Sequence, residues 1–422
     1  MLKRIISNKY IFSLITKTTL VFIGLLNSIF INRFLGPSLK GEYAFILNIV
    51  NILVLILNLG IYQSYPFFKR NDKNRDIKNK YFNIIFLQFL IYFLCAMIIS
   101  LLFMNLRYAI IIMIIPLMIL SNQILFIVMI EDINLKNKIN IGNQIFYTLL
   151  LLFVFKWAPQ DYLYIILLLY IKDILIIFRM KYKFKLKFDI KIVDLYLVKT
   201  SIKFGFFPMI TLLLISMNYS FDIIILKLFV DYEQIGLYTI GVGLAKMVWI
   251  IPDAFKEVLF TKVVLKNSVE DVLISIKINL YISIFTILSI IIIGKQVIIL
   301  LYGQEFIQSY GVTVVIFIGI IPMLFYKLIY PLFLATGKQK VSFYILLISV
   351  VLNIILNFIF IPSYGNLGAA MSSVVSYSAC GFLFTYIFAK EFKLKSYNFL
   401  FMSKLETMRI KELLYRKTYG NS

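Results

Sequence analysis

The sequence predicts an all-α integral membrane protein: twelve transmembrane helices in two six-helix lobes related by pseudo-two-fold symmetry. Three observations predict this class. Hydrophobic residues make up 61% of the 422 and charged residues only 15%, with a mean hydropathy of +0.92. Apolar runs near span length recur along the chain. Lys and Arg concentrate in alternate loops. An ordinary soluble domain has about 45–50% apolar and about 25% charged residues, so a soluble multidomain protein, a disordered chain and a secreted disulfide scaffold are all excluded. The sequence has no histidine, which removes the usual general base near neutral pH and the commonest metal ligand. Its two cysteines, Cys95 and Cys380, lie far apart inside apolar runs and indicate neither a disulfide nor a zinc site.

A span takes about 20 mostly apolar residues. The runs are 11–33, 41–63, 81–104, 107–130, 140–157 and 161–179, then 205–228, 236–258, 276–300, 312–335, 341–361 and 366–389. The strongly basic stretch 180–204 separates the two sets of six. The expected organisation is an N-terminal lobe at 1–179, a cytoplasmic linker at 180–204, a C-terminal lobe at 205–389 and a basic tail at 390–422. Alternate loops carry thirty-three of the 43 basic residues, and the opposite side carries five: Arg33, Lys40, Arg107, Lys156 and Lys295. Positive charge stays inside, so both termini are expected in the cytoplasm. The net charge of +23 is therefore a topology signal, and no nucleic-acid partner is expected. Gly41-Glu42-Tyr43 and Gly236-Leu237-Tyr238 each follow the first span of a half, which suggests two repeats about an axis along the membrane normal.

The five basic residues that remain are lysines within predicted spans: Lys17, Lys172, Lys227, Lys246 and Lys327. A charge at mid-bilayer costs about 2.5–3.5 kcal/mol on insertion scales, so each is expected to face protein or water. Lys246 shares a helical face with Gly243, Trp249 and Asp253, and Pro252 can kink that helix. It either lines a central cavity or makes an indirect structural contact with Asp253. Lys17 lies on a stripe with Ser13, Gly24 and Ser28, close enough to the cytoplasmic edge to snorkel. Lys327 sits between Pro322 and Pro331, with Tyr330 nearby. Lys172 has Asp173 beside it, and Lys227 is at the outer end of its span. Asp222, one turn after Asn218, is placed either to bind Na⁺ or a proton or to pair with a basic residue. Arg33 and Glu42 flank the first external loop and suit its outer mouth. Amide and small residues align at Asn48, Asn51 and Asn58, at Ser349, Asn353 and Asn357, and at Gly368, Ser372 and Ser376; interhelical packing is their default role. There is no GxxxxGK[ST] phosphate loop and no paired-carboxylate or metal constellation, so neither a cofactor nor an enzymatic activity is expected.

Ile31-Asn32-Arg33-Phe34-Leu35-Gly36-Pro37 and Gly41-Glu42-Tyr43-Ala44 resemble the opening signature of the O-antigen flippases (Wzx type), a polysaccharide transporter family. The resemblance continues through Asp222, Gly236-Leu237-Tyr238, Pro252, Leu301-Tyr302-Gly303, Asn353 and Asn357. It ends on Ile361-Pro362-Ser363-Tyr364-Gly365-Asn366-Leu367-Gly368-Ala369-Ala370. The family belongs to the superfamily of multidrug, oligosaccharidyl-lipid and polysaccharide exporters. The resemblance implies two lobes in a V, alternating access and a cationic cavity. It implies a bacterial cytoplasmic (inner) membrane location and an undecaprenyl-diphosphate-linked oligosaccharide, such as an O-antigen repeat unit, as substrate. On this basis Lys17, Arg33, Lys246 and Lys327 are the expected substrate-binding residues, and Asp222 and Asp253 the expected coupling or gating residues, with Na⁺ or H⁺ as coupling ion. Membrane lipids and polysaccharide polymerase machinery are the other expected partners. The competing classes are a MATE-like drug/cation antiporter, disfavoured by the intramembrane lysines, and a membrane-embedded polymerase or ligase, disfavoured by short external loops.

Overall fold

In the computed structural model, helix follows helix with no strand among the described residues. The backbone is described for 2–71, 77–103, 105–184, 189, 193–256, 259, 269–402, 406 and 408, and the side chains from Thr16 on, except Lys17. Parts of the expected linker (185–188 and 190–192) and most of the tail beyond 402 lie outside the described residues. The chain opens with α1 (Leu2–Leu57), a short 3-10 turn (Ile61–Ser64) and α2 (Tyr65–Asn71). The helices α3 (Ile77–Phe103), α4 (Leu106–Glu131), α5 (Ile133–Trp157) and α6 (Tyr162–Phe184) follow. Next come α7 (Leu195–Ser220), α8 (Asp222–Leu226), α9 (Tyr232–Val248) and α10 (Val269–Tyr302). The last elements are α11 (Ser309–Ile318), α12 (Ile320–Ala335), α13 (Gln339–Glu391) and α14 (Tyr397–Leu400).

Among the described residues, eight helical stretches are long and apolar enough to cross a membrane, or nine if the bent pair α11–α12 is one span. Two of the eight are broken inside. Gly36 in α1 has φ 65° and ψ 175°, and Gly365 in α13 has φ 55° and ψ −132°. Positive φ is cheap only for glycine, so the chain turns within one residue where the sequence suggested a loop. The run at 161–179 lies on α6, which is not among the eight; Lys172, Asp173 and Arg179 dilute its hydropathy.

The described residues form two compact units: Met1–Leu237 with Leu301–Glu305, and Tyr238–Leu300 with Phe306–Ser422. The packing boundary therefore falls at 237/238, later than the basic stretch at 180–204. Glycine contacts explain why α7 and the start of α9 group with the first unit. Gly60 and Gly205 lie against each other's backbone, and a Cβ on either would overlap the other. Gly41 meets the backbone of Tyr232 and Gly236, while Gly236 meets Pro37 and Gly41. The two glycines of the repeated motif thus touch. Hydrogen bonds reinforce the first unit: the Tyr81 hydroxyl bridges Ser64 and Ser201 at 2.7 Å each. Tyr65 and Lys69 both donate to Glu131.

In the second unit, Gly241 abuts the backbone of Thr313, and Gly381 the carbonyl of Pro322. A strap after α13 covers one end of the unit. Phe399 is buried against the rings of Phe325 and Phe388, and Tyr281 donates to the Leu400 carbonyl at 3.0 Å. Lys277 reaches both carboxylate oxygens of Glu406 at 2.7 Å.

Overpacking a tight crossing typically costs about 1–3 kcal/mol, whereas Gly→Ala in an open helical position gains roughly 0.5–1 kcal/mol. Gly243, on α9, has open space within 4 Å of where a Cβ would stand. Thermal unfolding in detergent should therefore show Gly236→Val well below, and Gly243→Ala at or slightly above, the parent midpoint.

Candidate functional site

Asp253 and Lys327 form the centre of the best-defined polar site, in the second unit. The α9 stretch continues as helix to Lys256, carrying Trp249, Asp253 and Lys256 on successive turns. Facing it, α12 starts at a break: Gly319 bends it 43° from α11. Pro322 lies in its first turn, where the missing N–H does no harm. Pro331, further in, supplies no N–H to the carbonyl of Lys327 four residues back, which loosens the helix where the lysine projects.

The Lys327 ammonium donates to Asp253 Oδ2 at 2.7 Å. The lysine side chain is only 8% exposed, its acid 43%. The ammonium also stands 5.5 Å from the Trp249 ring centre, within cation–π range. Three residues on along each helix, Lys256 Nζ stands 5.2 Å from the Tyr330 ring centre. Tyr326 joins Tyr330 at 5.6 Å and Phe384 at 5.1 Å, and Trp249 meets Tyr377 edge-on at 5.7 Å. The cluster thus sets two lysines and one carboxylate beside an aromatic wall, two positive charges to one negative among these residues.

Asp253 takes Lys327, on a different helix, as its partner rather than Lys246. Lys246 lies exposed on α9, two turns earlier in the same unit. Arg33 and Asp222 belong to the first unit. Arg33 is exposed and its Nε donates to the Leu301 carbonyl at 2.9 Å, so its charge meets the C-terminal end of α10, where cations are favoured. Asp222 is fully buried at the break between α7 and α8, next to the Ser220 carbonyl that takes the Asn48 amide. The side chain of Lys17 lies outside the described residues.

The amide stripes are engaged in packing. Within α13, Ser349 Oγ donates to the Ser376 carbonyl at 3.0 Å, Asn353 to Ser376 Oγ at 3.4 Å and Asn357 to Asn353 Oδ1 at 3.0 Å. Asn58 accepts from the Gly60 N–H at 2.7 Å, while Asn51 is exposed. Sequence reasoning missed Lys256, counting it as a loop cation, and missed Tyr326. The signal for both was present: Asp253/Lys256 are spaced i, i+3 and Tyr326/Tyr330 i, i+4, so each pair shares a helix face. No group of His, Cys, Asp or Glu able to hold a metal occurs among the described residues.

A family model described as polysaccharide biosynthesis protein matches residues 7–255. Another, described as lipid II flippase MurJ, matches residues 265–414. No curated protein matches the sequence significantly. The chain is similar in fold to the solved lipid II flippase MurJ in an inward closed conformation, with a TM-score of 0.74 at 15% identity, covering 97% of this chain and 99% of that one. It is also similar to an inward-facing multidrug resistance MATE family transporter of the MOP superfamily, with a TM-score of 0.69 at 13% identity, covering 89% and 96%. A MOP superfamily transporter from Pyrococcus furiosus follows at 0.59 and 14% identity, covering 92% and 95%.

Removing one partner of a buried pair strands the other, while removing both does not. Asp253→Asn and Lys327→Met should each lower the unfolding midpoint in detergent. The double variant should recover part of the loss, giving a coupling energy of about 0.5–3 kcal/mol in the double-mutant cycle.

Proposed function

Because the chain belongs to the polysaccharide biosynthesis protein family, within the superfamily of lipid-linked flippases and multidrug exporters, we propose that it is a flippase for an undecaprenyl-diphosphate-linked oligosaccharide, such as an O-antigen repeat unit. It is a transporter and not an enzyme. The observation that carries the substrate class is the lysine pair beside Asp253: positive charge held among apolar helices, next to aromatic rings. A diphosphate crossing a membrane needs such charge, and lysines supply it as mobile point charges that can later let go. Aromatic faces suit the apolar faces of sugar rings. The lipid tails stay in the bilayer while the head group crosses.

In this reading twelve spans form two six-helix lobes that work by alternating access in a bacterial cytoplasmic (inner) membrane, with both termini cytoplasmic. Lys17, Arg33, Lys246 and Lys327 attract the anionic head group. Asp222 and Asp253 gate the movement or couple it to Na⁺ or H⁺. Polymerase machinery receives the flipped unit. The likeness to MATE transporters raises a drug/cation antiporter as the second reading; a cation substrate would meet Lys246, Lys256 and Lys327 against Asp253, three positive charges to one negative among these residues, which disfavours it.

Lys246→Glu should abolish surface polysaccharide while the protein stays in the membrane, and lipid-linked units should accumulate on the cytoplasmic leaflet. Membrane fractionation with blotting, together with lipid extraction, reads both. Normal polysaccharide display by that variant would contradict the assignment.

A further inference from the structure

The Lys327–Asp253 pair is unequal in a way that a purely structural ion pair has no need to be. The ammonium is almost closed off, yet its carboxylate is nearly half open. The exposed acid therefore gives a ligand a way to the lysine it holds. The acid holds the lysine through one oxygen, Oδ2 at 2.7 Å. It also has a second basic neighbour on its own helix, Lys256, three residues on. That spacing lets Asp and Lys side chains meet, and Lys256 now stands over the Tyr330 ring.

The other closed-off lysine of this unit makes the contrast. Lys277 uses both oxygens of Glu406, at 2.7 Å each, and that pair is 4% and 18% exposed. It is shut from both sides and engaged at both oxygens. The Lys327–Asp253 pair has neither property.

We propose that Asp253 is a placeholder for the diphosphate. In the empty site its carboxylate neutralises Lys327. An incoming diphosphate oxygen takes that position, and Asp253 swings to Lys256. When the head group leaves, Asp253 returns to Lys327 and competes against rebinding. The inference rests on the flippase reading and adds to it a specific anion-exchange step. No covalent bond changes; one ion pair replaces another. The arrangement solves a physical problem for a carrier: a fully unpaired lysine here would be costly to hold and would also retain its anionic ligand too tightly to release it.

The test uses the full-length protein in nanodiscs, with undecaprenyl diphosphate as ligand and inorganic pyrophosphate as competitor. Asp253→Asn should bind undecaprenyl diphosphate about tenfold more tightly than the parent, a difference of about 1.4 kcal/mol, with the gain in a slower off-rate. Lys327→Met should bind it at least about tenfold more weakly. Asp253→Glu, which keeps the carboxylate, should stay near the parent and serves if Asp253→Asn does not fold. Pyrophosphate's own inhibition constant, corrected for the tighter binding of the lipid ligand, should fall about tenfold in Asp253→Asn, which identifies the diphosphate, not the lipid tail, as the group exchanged. Unchanged or weaker binding by Asp253→Asn, a pyrophosphate inhibition constant that the substitution leaves unaltered, or, where Asp253→Glu stands in, a change in affinity as large as that of Lys327→Met would overturn the placeholder role. If the parent binds undecaprenyl diphosphate and only these variant differences fail, the flippase reading survives without this step. If the parent binds neither diphosphate, both fall.

Discussion

A lysine ammonium removed from water must be given an anion, and this constraint organises the second unit. Lys327 and Lys277 are both almost closed off, and each has one acid within 2.7 Å. Desolvation outweighs attraction unless the geometry is good and the remaining protons are satisfied. Lys277 meets that condition with both oxygens of Glu406 and joins the strap to α10. Lys327 meets it with one oxygen of Asp253 and the face of Trp249. One solution is closed and suits a fastening. The other is open on the acid's side and suits a site.

The second constraint is backbone proximity. Helices in a bilayer gain little from burying apolar side chains against each other, because lipid is equally apolar; close backbone contact at small residues supplies the attraction. Gly60 with Gly205, Gly41 with Gly236, Gly241 with Thr313 and Gly381 with Pro322 are such contacts. They fix where α1 meets the start of α9, where the turn after α1 meets α7, where α9 meets α11 and where α12 meets α13. Trp249 and Asp253 follow Gly241 along the α9 stretch, and Lys327 follows Pro322 along α12, which continues from α11 across Gly319.

Much of this was legible in the sequence. Hydropathy marks the helices because each span must satisfy its own backbone in lipid. The Gly36-Pro37 and Ser363-Tyr364-Gly365 segments stood out as motifs, and the structure gives their glycines positive φ at helix breaks. The paired Gly41 and Gly236 motifs appeared as a faint repeat, and their glycines touch. Lys327 and Asp253 were both singled out, but not as partners. Their contact joins positions 74 residues apart, and helical periodicity reports only what shares a helix. Lys256 was overlooked for a different reason: it lies at the end of a span, where loop charge and site charge look alike in sequence. The asparagine and serine stripe of α13 was legible as packing, because amides spaced three or four apart can bond one another as Asn353 and Asn357 do.

The central claim is that this cationic, aromatic site serves the passage of a diphosphate head group. The most direct measurement is translocation by the purified protein in liposomes loaded with an undecaprenyl-diphosphate-linked oligosaccharide, followed with a lectin or a glycosidase that reaches one leaflet only. The account predicts protein-dependent movement between leaflets that Lys327→Met greatly slows. Leaflet distribution identical to protein-free liposomes, alongside protein-dependent movement of a lipophilic cation, would contradict it.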